Sequence, residues 1–484
     1  MNKTTDYYAL LGIFRDAPPE EIRRAYLKAV QRLHPDRNVA LGETEMFLEV
    51  QQAYEVLANP QRRAQYDLNL PREEAHDSPV SMEILYSRSN LVRMGEAQAL
   101  YVLVDIASNA RTGQLAAAPP LNICLALDRS TSMKEKKMDL LKAAAIQFLR
   151  RMRPEDLFSV VTFSDKPEVV IPATYQADRQ KLEAPIRNIV PSGATEIYKG
   201  LKAAYDEVQR GRADGRVNHI ILITDGHTYG DENACLELAA QAAEQGVGIS
   251  AMGIGAEWND SFLDQLATRT GHTSRYIARP QDIQRFLDDK FNALAHVVAD
   301  ETVLQYTLAE GVRLRYAFRL QPETGPLGVE GLLALGPILR DTRLSMVFEL
   351  LVDPSALNGE RLTLLDGKIE VSMKARTVSA PPLRVRLERP VRADAGQDAP
   401  PLPIMQALSR LTLYRMQERA RAEAQSGEYE KATRSLKFLA SHLSAAGEES
   451  LARTVLFEAE HLNREQTFSQ EGEKKIKYAT RALI

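Results

Sequence analysis

NICLALDRSTS, residues 122–132, is an apolar run that breaks abruptly into Asp128, Arg129, Ser130, Thr131 and Ser132. It reads as a buried strand whose C-terminal end delivers a carboxylate and two hydroxyls, spaced D-x-S-x-S, into a loop. Outward from it the same pattern recurs. DLFSVVTF, HIILIT and VGISAMGI are further apolar β runs, and between them lie the helical patterns MDLLKAAAIQFLRRM, EIYKGLKAAYDEVQR and ENACLELAAQAAEQ, the last two each stopped by a glycine. Alternating strand and helix predict a parallel sheet covered on both faces, an α/β doubly wound domain over residues 119–298. Sheets of this kind bind ligands in the loops beyond the carboxyl ends of their strands. Two more pieces fall at such places: Ser192-Gly193-Ala194-Thr195 before a helix, and Asp225-Gly226 directly after HIILIT.

On both sides of this domain the period changes to two. Met82 to Ala107 alternates apolar and polar residues, and alternation returns in VLQYTL, VRLRYAFRL, RLSMVFELLV and KIEVSM. The simplest arrangement is a β-sandwich whose first part, residues 78–118, precedes the α/β domain and whose second part, 299–392, follows it, so that the α/β domain is an insertion. The linker VRADAGQDAPPLP then leads to a helical segment, 404–484, in which residues 426–463 read as two antiparallel helices around a glycine turn.

Residues 1–70 are helical in pattern. Pro18, Pro19 and Glu20 open a helix whose one face carries Ile22, Ala25, Tyr26, Ala29 and Leu33, while Arg23, Arg24, Lys28 and Arg32 make the other face basic. Pro35 ends it, leaving His34-Pro35-Asp36 in a loop before a second helix with Phe47, Val50, Ala53, Tyr54 and Leu57 at core spacing. His-Pro-Asp alone is a helix-terminating turn. Together with DYYALLGI, FLEVQQAYEVLAN and PQRRAQYD it resembles the J domain of DnaJ-type co-chaperones across residues 5–68. The resemblance implies an all-α docking module for a DnaK-type heat-shock chaperone. The basic face would steer toward the partner, and His34, Pro35 and Asp36 would stimulate its ATP hydrolysis. Leu27 stands where many members carry a basic residue.

In the α/β domain the bland reading of each piece is strong, since Asp-Gly is a common turn and Ser or Thr before a helix is commonly a cap. All three at strand ends or helix starts resemble the metal-ion-dependent adhesion site of von Willebrand factor A domains, a Rossmann-like fold, over residues 119–296. The resemblance implies that Ser130, Ser132 and Thr195 give neutral oxygens to Mg²⁺, or to Mn²⁺ or Ca²⁺, with Asp128 and Asp225 supplying charge. An open position on the ion would then accept a carboxylate from a partner protein. Thr131 replaces the glycine often found between the two serines.

With 61 Lys plus Arg against 65 Asp plus Glu, the net charge of -4 excludes a generally basic nucleic-acid binder. Cys124 and Cys235 form no ligand spacing, and both are expected in the core of a cytoplasmic protein. There is no phosphate-binding loop, Gly253-Ile254-Gly255 lacks a third glycine, and His219, His227, His272 and His296 stand singly, as surface or packed histidines. Ser130 has no histidine base, so hydrolase chemistry is disfavoured. Trp258 reads as a packing anchor. No stretch is long and apolar enough to span a membrane. The expectation is a non-enzymatic adaptor linking a DnaK-type ATPase to a protein held by the metal site; the alternatives are a non-chaperone scaffold or regulatory subunit of a larger complex, and a surface adhesin.

Overall fold

The computed structural model describes residues 7–11, 13, 17–33, 43–69, 79–108, 118–134, 136–175, 179–213, 215–226, 230–329, 331–373, 380–395, 399–469 and 471–484. The chain opens with helices α1 (Tyr7–Leu11), α2 (Pro19–Leu33), α3 (Glu43–Leu57) and α4 (Pro60–Asn69). Their apolar stripes meet in one core holding Tyr8, Ile22, Val50, Ala53 and Leu57, and Tyr26 stacks on Tyr54 at 4.1 Å between ring centroids. The Tyr8 hydroxyl donates to Asp67 and accepts from Arg63, which ties α1 to α4.

Strands β1 (Val80–Tyr86), β2 (Leu91–Val92) and β3 (Gln98–Ser108) follow. The chain then enters the α/β domain: β4 (Leu121–Asp128), α5 (Lys136–Arg151), β5 (Leu157–Phe163), β6 (Pro167–Tyr175), α6 (Arg179–Arg187), α7 (Ile197–Arg210), β7 (Val217–Thr224), α8 (Glu232–Glu244), β8 (Val247–Ile254), α9 (Asp260–Arg269), β9 (Ser274–Ile277) and α10 (Asp282–Ala295). The sheet order is β6-β5-β4-β7-β8-β9, parallel except for β6. Every residue of β4 and β5 is buried, because helices cover both faces. The four apolar runs of the sequence form β4, β5, β7 and β8. The antiparallel edge β6 and the four-residue β9 complete the sheet.

After α10 come β10 (Val297–Ala299), β11 (Glu301–Leu308), β12 (Val312–Gln321), β13 (Gly325–Pro326), β14 (Leu333–Ala334), β15 (Ile338–Leu339), β16 (Leu344–Val352), β17 (Arg361–Ser372) and β18 (Leu383–Arg392). They finish what β1 to β3 begin. One five-stranded sheet runs β1-β3-β16-β12-β13 and the other β14-β11-β17-β18-β2, so both combine strands from before and after the α/β domain. The two sheets bury a shared core that includes Val102, Val104, Leu304, Met346, Phe348, Ile369 and Leu387. The α/β domain is therefore inserted into a β-sandwich.

Four helices close the chain, α11 (Leu402–Gln425), α12 (Tyr429–Ala445), α13 (Glu449–Glu465) and α14 (Gly472–Ala482), where the sequence pattern marked two. Ile404, Leu411 and Tyr414 of α11 pack on the outer face of the first sheet, against Leu103, Phe318 and Val347. The other end of this bundle grips the α/β domain. Arg421 pairs with Asp260, and Lys477 and Arg481 pair with Asp264 at 2.7 and 2.6 Å. Burial alone would raise the Asp260 carboxyl, but Arg421 and Lys477 outweigh it and hold the group at about 2.

Candidate metal-dependent adhesion site

The parallel sheet reverses its winding at β4: β5 lies on one side and β7 on the other. The crevice at such a switch point is where the loops after two neighbouring strands part. Register sets β4 beside β7 with Leu127 opposite Ile223, so Asp128 and Thr224 arrive together at the carboxyl edge. The Thr224 hydroxyl donates to Asp128 Oδ2 at 2.6 Å, and the Ser130 amide donates to Oδ1 at 2.7 Å. Asp128 is fully buried. Burial pushes its carboxyl above the usual range, aided by Asp225 and opposed by the Thr224 and Ser130 hydrogen bonds.

From Asp128 the chain reaches Ser130, which caps a turn at Thr131–Met133 that carries Ser132. The two serine hydroxyl oxygens are 2.9 Å apart, and that of Ser132 donates to Asp225 Oδ1 at 2.6 Å. The loop carrying Thr195 is zipped onto the same turn. The Ser192 amide donates to the Arg129 carbonyl at 2.7 Å, the Thr131 amide to the Gly193 carbonyl at 3.0 Å, and the Arg129 guanidinium to the Ser192 hydroxyl at 2.6 Å. Gly193 takes φ +77°, the left-handed region that favours glycine, and a Cβ there would also press on the Asp165 carboxylate. Thr195 is buried, and its hydroxyl faces Gly226, where an added Cβ would lie 2.9 Å from Oγ1.

Asp128, Ser130, Ser132, Thr195 and Asp225 thus come from three loops to one edge of the sheet. The set is three hydroxyls and two carboxylates, with Ser132 exposed and Asp128, Ser130, Thr195 and Asp225 buried. Oxygen-only donors of low total charge fit a hard divalent cation. Among the described residues no three His, Cys, Asp or Glu side chains cluster as metal ligands. A site built mainly from hydroxyls contains no such cluster.

Three contributors escaped the sequence reading. Thr224 fixes Asp128; Asp165 accepts the Ala194 amide at 2.9 Å and holds the Thr195 loop; Lys137 contacts Asp225 at 2.5 Å. Thr224 was discoverable as the last residue of HIILIT, beside the expected carboxylate. Lys137 and Asp165 carry no motif.

In the helical N-terminal segment, Arg23 and Arg24 of α2 are exposed, and Leu27 is half exposed. Lys28 and Arg32 belong to the same helix. His34, Pro35 and Asp36 lie outside the described residues.

Residues 6–67 match the DnaJ domain and residues 122–291 the von Willebrand factor type A domain. The chain joins a DnaJ domain to a von Willebrand factor A domain. Residues 402–484 match a Sll0103-like C-terminal alpha-helical domain. The uncharacterized protein sll0103 of Synechocystis is 26% identical over 66% of this chain and 77% of its own length. The chaperone protein DnaJ of Methanosarcina thermophila is 51% identical over 67 residues, which are 14% of this chain and 17% of that protein. Among solved structures, a von Willebrand factor type A protein from Catenulispora acidiphila superposes with TM-score 0.65 at 15% identity, over 85% of this chain and 99% of the other. The shared fold therefore takes in far more than the inserted domain. Among the described residues no helix is long and apolar enough to cross a membrane.

The remaining sequence expectations concern packing. Cys124 and Cys235 are buried and unpaired with each other, and burial pushes the Cys124 thiol up to about 12. His219 and His272 are buried edge to face at 4.5 Å, His296 caps the end of α10, and His227 lies outside the described residues. Trp258 is buried and donates its indole N–H to the Gly255 carbonyl at 2.8 Å.

Proposed function

We propose that this chain is a cytoplasmic adaptor: its DnaJ domain stimulates the ATPase of a DnaK-type chaperone, and its von Willebrand factor A domain holds a partner protein in a metal-dependent way. The observation that carries the second half is the convergence of Asp128, Ser130, Ser132, Thr195 and Asp225 at the open edge of the sheet. A divalent ion such as Mg²⁺ held there supplies an electrophilic position for a partner's carboxylate. The chain's own residues prepare that position. Thr224 and the Ser130 amide orient Asp128, the Arg129–Ser192 contact fixes the two hydroxyl loops together, and Asp165 holds the one that carries Thr195.

The first half rests on the DnaJ domain and on the exposed Arg23 and Arg24, which suit steering toward an acidic surface. His34→Gln is expected to abolish ATPase stimulation while the helical signal is kept. Unchanged stimulation would refute the co-chaperone role and leave the scaffold or regulatory subunit. Affinity capture in Mg²⁺ and in chelator tests the other half: a partner set that is the same in both refutes metal-dependent binding.

A further inference from the structure

The carboxylate edge already has a cation of its own. Lys137, in the first turn of α5, sets its ammonium 2.5 Å from Asp225 Oδ2 and 3.3 Å from the Ser132 carbonyl oxygen. Asp225 is thereby engaged on both oxygens, Oδ1 by the Ser132 hydroxyl and Oδ2 by Lys137. Of the lysines at 134, 136 and 137, only Lys137 is drawn in from the surface. Its side chain is 34% exposed while that of Asp225 is fully buried, so the pair joins a mobile cation to a fixed anion. A surface ion pair of two exposed groups contributes little; here the anion has lost its water and depends on what faces it.

Ser132 and Asp225 are also two of the five oxygens assigned to the ion. Lysine's ammonium is a single charge on a flexible four-carbon stem, able to withdraw into solvent without moving the backbone. We propose that Lys137 is a tethered counter-cation: it holds Asp225 when no divalent ion is present, and it must leave when one binds. This rests on the metal-site reading above. Lys137 then weakens ion affinity, and it also keeps the ion-free edge folded by neutralising a carboxylate that stands near the buried Asp128.

The test uses the full chain, with Mn²⁺ alone and Mg²⁺ alone as titrants in calorimetry, on wild type, Lys137→Gln and Lys137→Arg. Removing the competing charge is expected to tighten binding about tenfold in Lys137→Gln, with Lys137→Arg close to wild type. Thermal unfolding supplies a second readout. In chelator Lys137→Gln should melt below wild type, and in Mn²⁺ it should melt at or above it, a reversal that a lysine with only a packing role would not produce. Lys137→Met, which keeps most of the stem, replaces Lys137→Gln if that variant fails to fold. Equal affinity in wild type and variant, with binding present in both, overturns the counter-cation role and leaves the metal site standing. No binding by any of these proteins sinks the metal site and this inference together.

Discussion

The two edges of the parallel sheet are built on opposite plans. At the carboxyl edge, short loops bring hydroxyls and carboxylates together, and the only cation in contact with Asp225 among the described residues is the half-buried Lys137. At the amino edge, where the inserted domain meets the sandwich, charges of both signs are buried and matched. Lys290 of α10 pairs with Glu323, which also accepts the Thr273 hydroxyl at 3.0 Å. Arg319 of β12 donates to the carbonyls of Glu323, Leu335 and Gly271 at 2.7, 2.8 and 2.5 Å. Burial alone would raise the Glu323 carboxyl, but Lys290, His272 and Arg319 hold it well below the usual range. At one edge the polar groups hold three loops of a single domain to one another, and at the other they tie two domains together.

If that contrast is right, the largest loss comes from breaking the joint. Lys290→Met leaves Glu323 buried without its partner and should cost about 3–5 kcal/mol, read from urea unfolding of the full chain. Acid should act on the same edge. Burial, opposed by Glu323, pushes the His272 imidazole down to about 3. The unfolded chain therefore takes up the proton first as pH falls from about 6.5. Stability is present above that pH and is lost progressively toward pH 3, by up to about 1.4 kcal/mol per pH unit for one proton. The depressed Glu323 acts in the same direction at the lower end of this window. In His272→Asn the slope between pH 6.5 and the carboxylate range should fall, the remainder coming from the buried His219, which burial also pushes down; the denaturant midpoint across pH measures it.

Changes at the carboxyl edge should be smaller in stability and larger in binding. Gly226→Ala pushes a methyl against the Thr195 hydroxyl; about 1 kcal/mol of destabilisation is expected, with Mn²⁺ affinity reduced severalfold in calorimetry. The smallest stability effect should come from Asp128→Asn in chelator. It relieves the burial of a charge beside Asp225 and keeps an oxygen for Thr224, but sets an amide NH2 against the Ser130 N–H; the two effects oppose, so stability should stay within about 0.5 kcal/mol of wild type while Mn²⁺ binding is lost. A large destabilisation by Asp128→Asn would erase the distinction between the two edges.

The same contrast explains what the sequence could reveal. The convergence of Asp128, Ser130, Ser132, Thr195 and Asp225 was legible because they stand just past apolar runs or before a helix, positions that a parallel sheet brings to one edge, and both features are local. Strands β4, β5, β7 and β8 were legible for a related reason: burial on both faces makes them continuous apolar runs. The edge strand β6 is largely exposed and holds Pro167 and Pro172, so it lacks that signature. The joint was silent. Lys290, Arg319 and Glu323 look like ordinary surface charges until β12 and α10 are brought together, and His272 looks like an isolated histidine. Asp260 and Asp264 meet Lys477 and Arg481 only across more than 200 residues of chain. Pairing at that range leaves no trace in spacing or periodicity. Lys137 was hidden otherwise: a lysine in the first turn of a helix is unremarkable until its ammonium is located.

The insertion itself has a mechanical meaning. The chain enters the α/β domain at Leu121 and leaves it after Ala295, both at the amino edge, while Asp128, Ser130, Ser132, Thr195 and Asp225 crown the opposite one. A tug on anything held by the loop after β4 would run lengthwise down β4 to its anchorage at Leu121, while the end of α10 supplies the second anchorage. The hydrogen bonds tying β4 to β5 and β7 lie across the direction of pull, so they would have to shear as a set and could not unzip one at a time. A head mounted on two posts also resists swivelling on its stalk, so whatever it grips is presented in a fixed direction relative to the sandwich beneath.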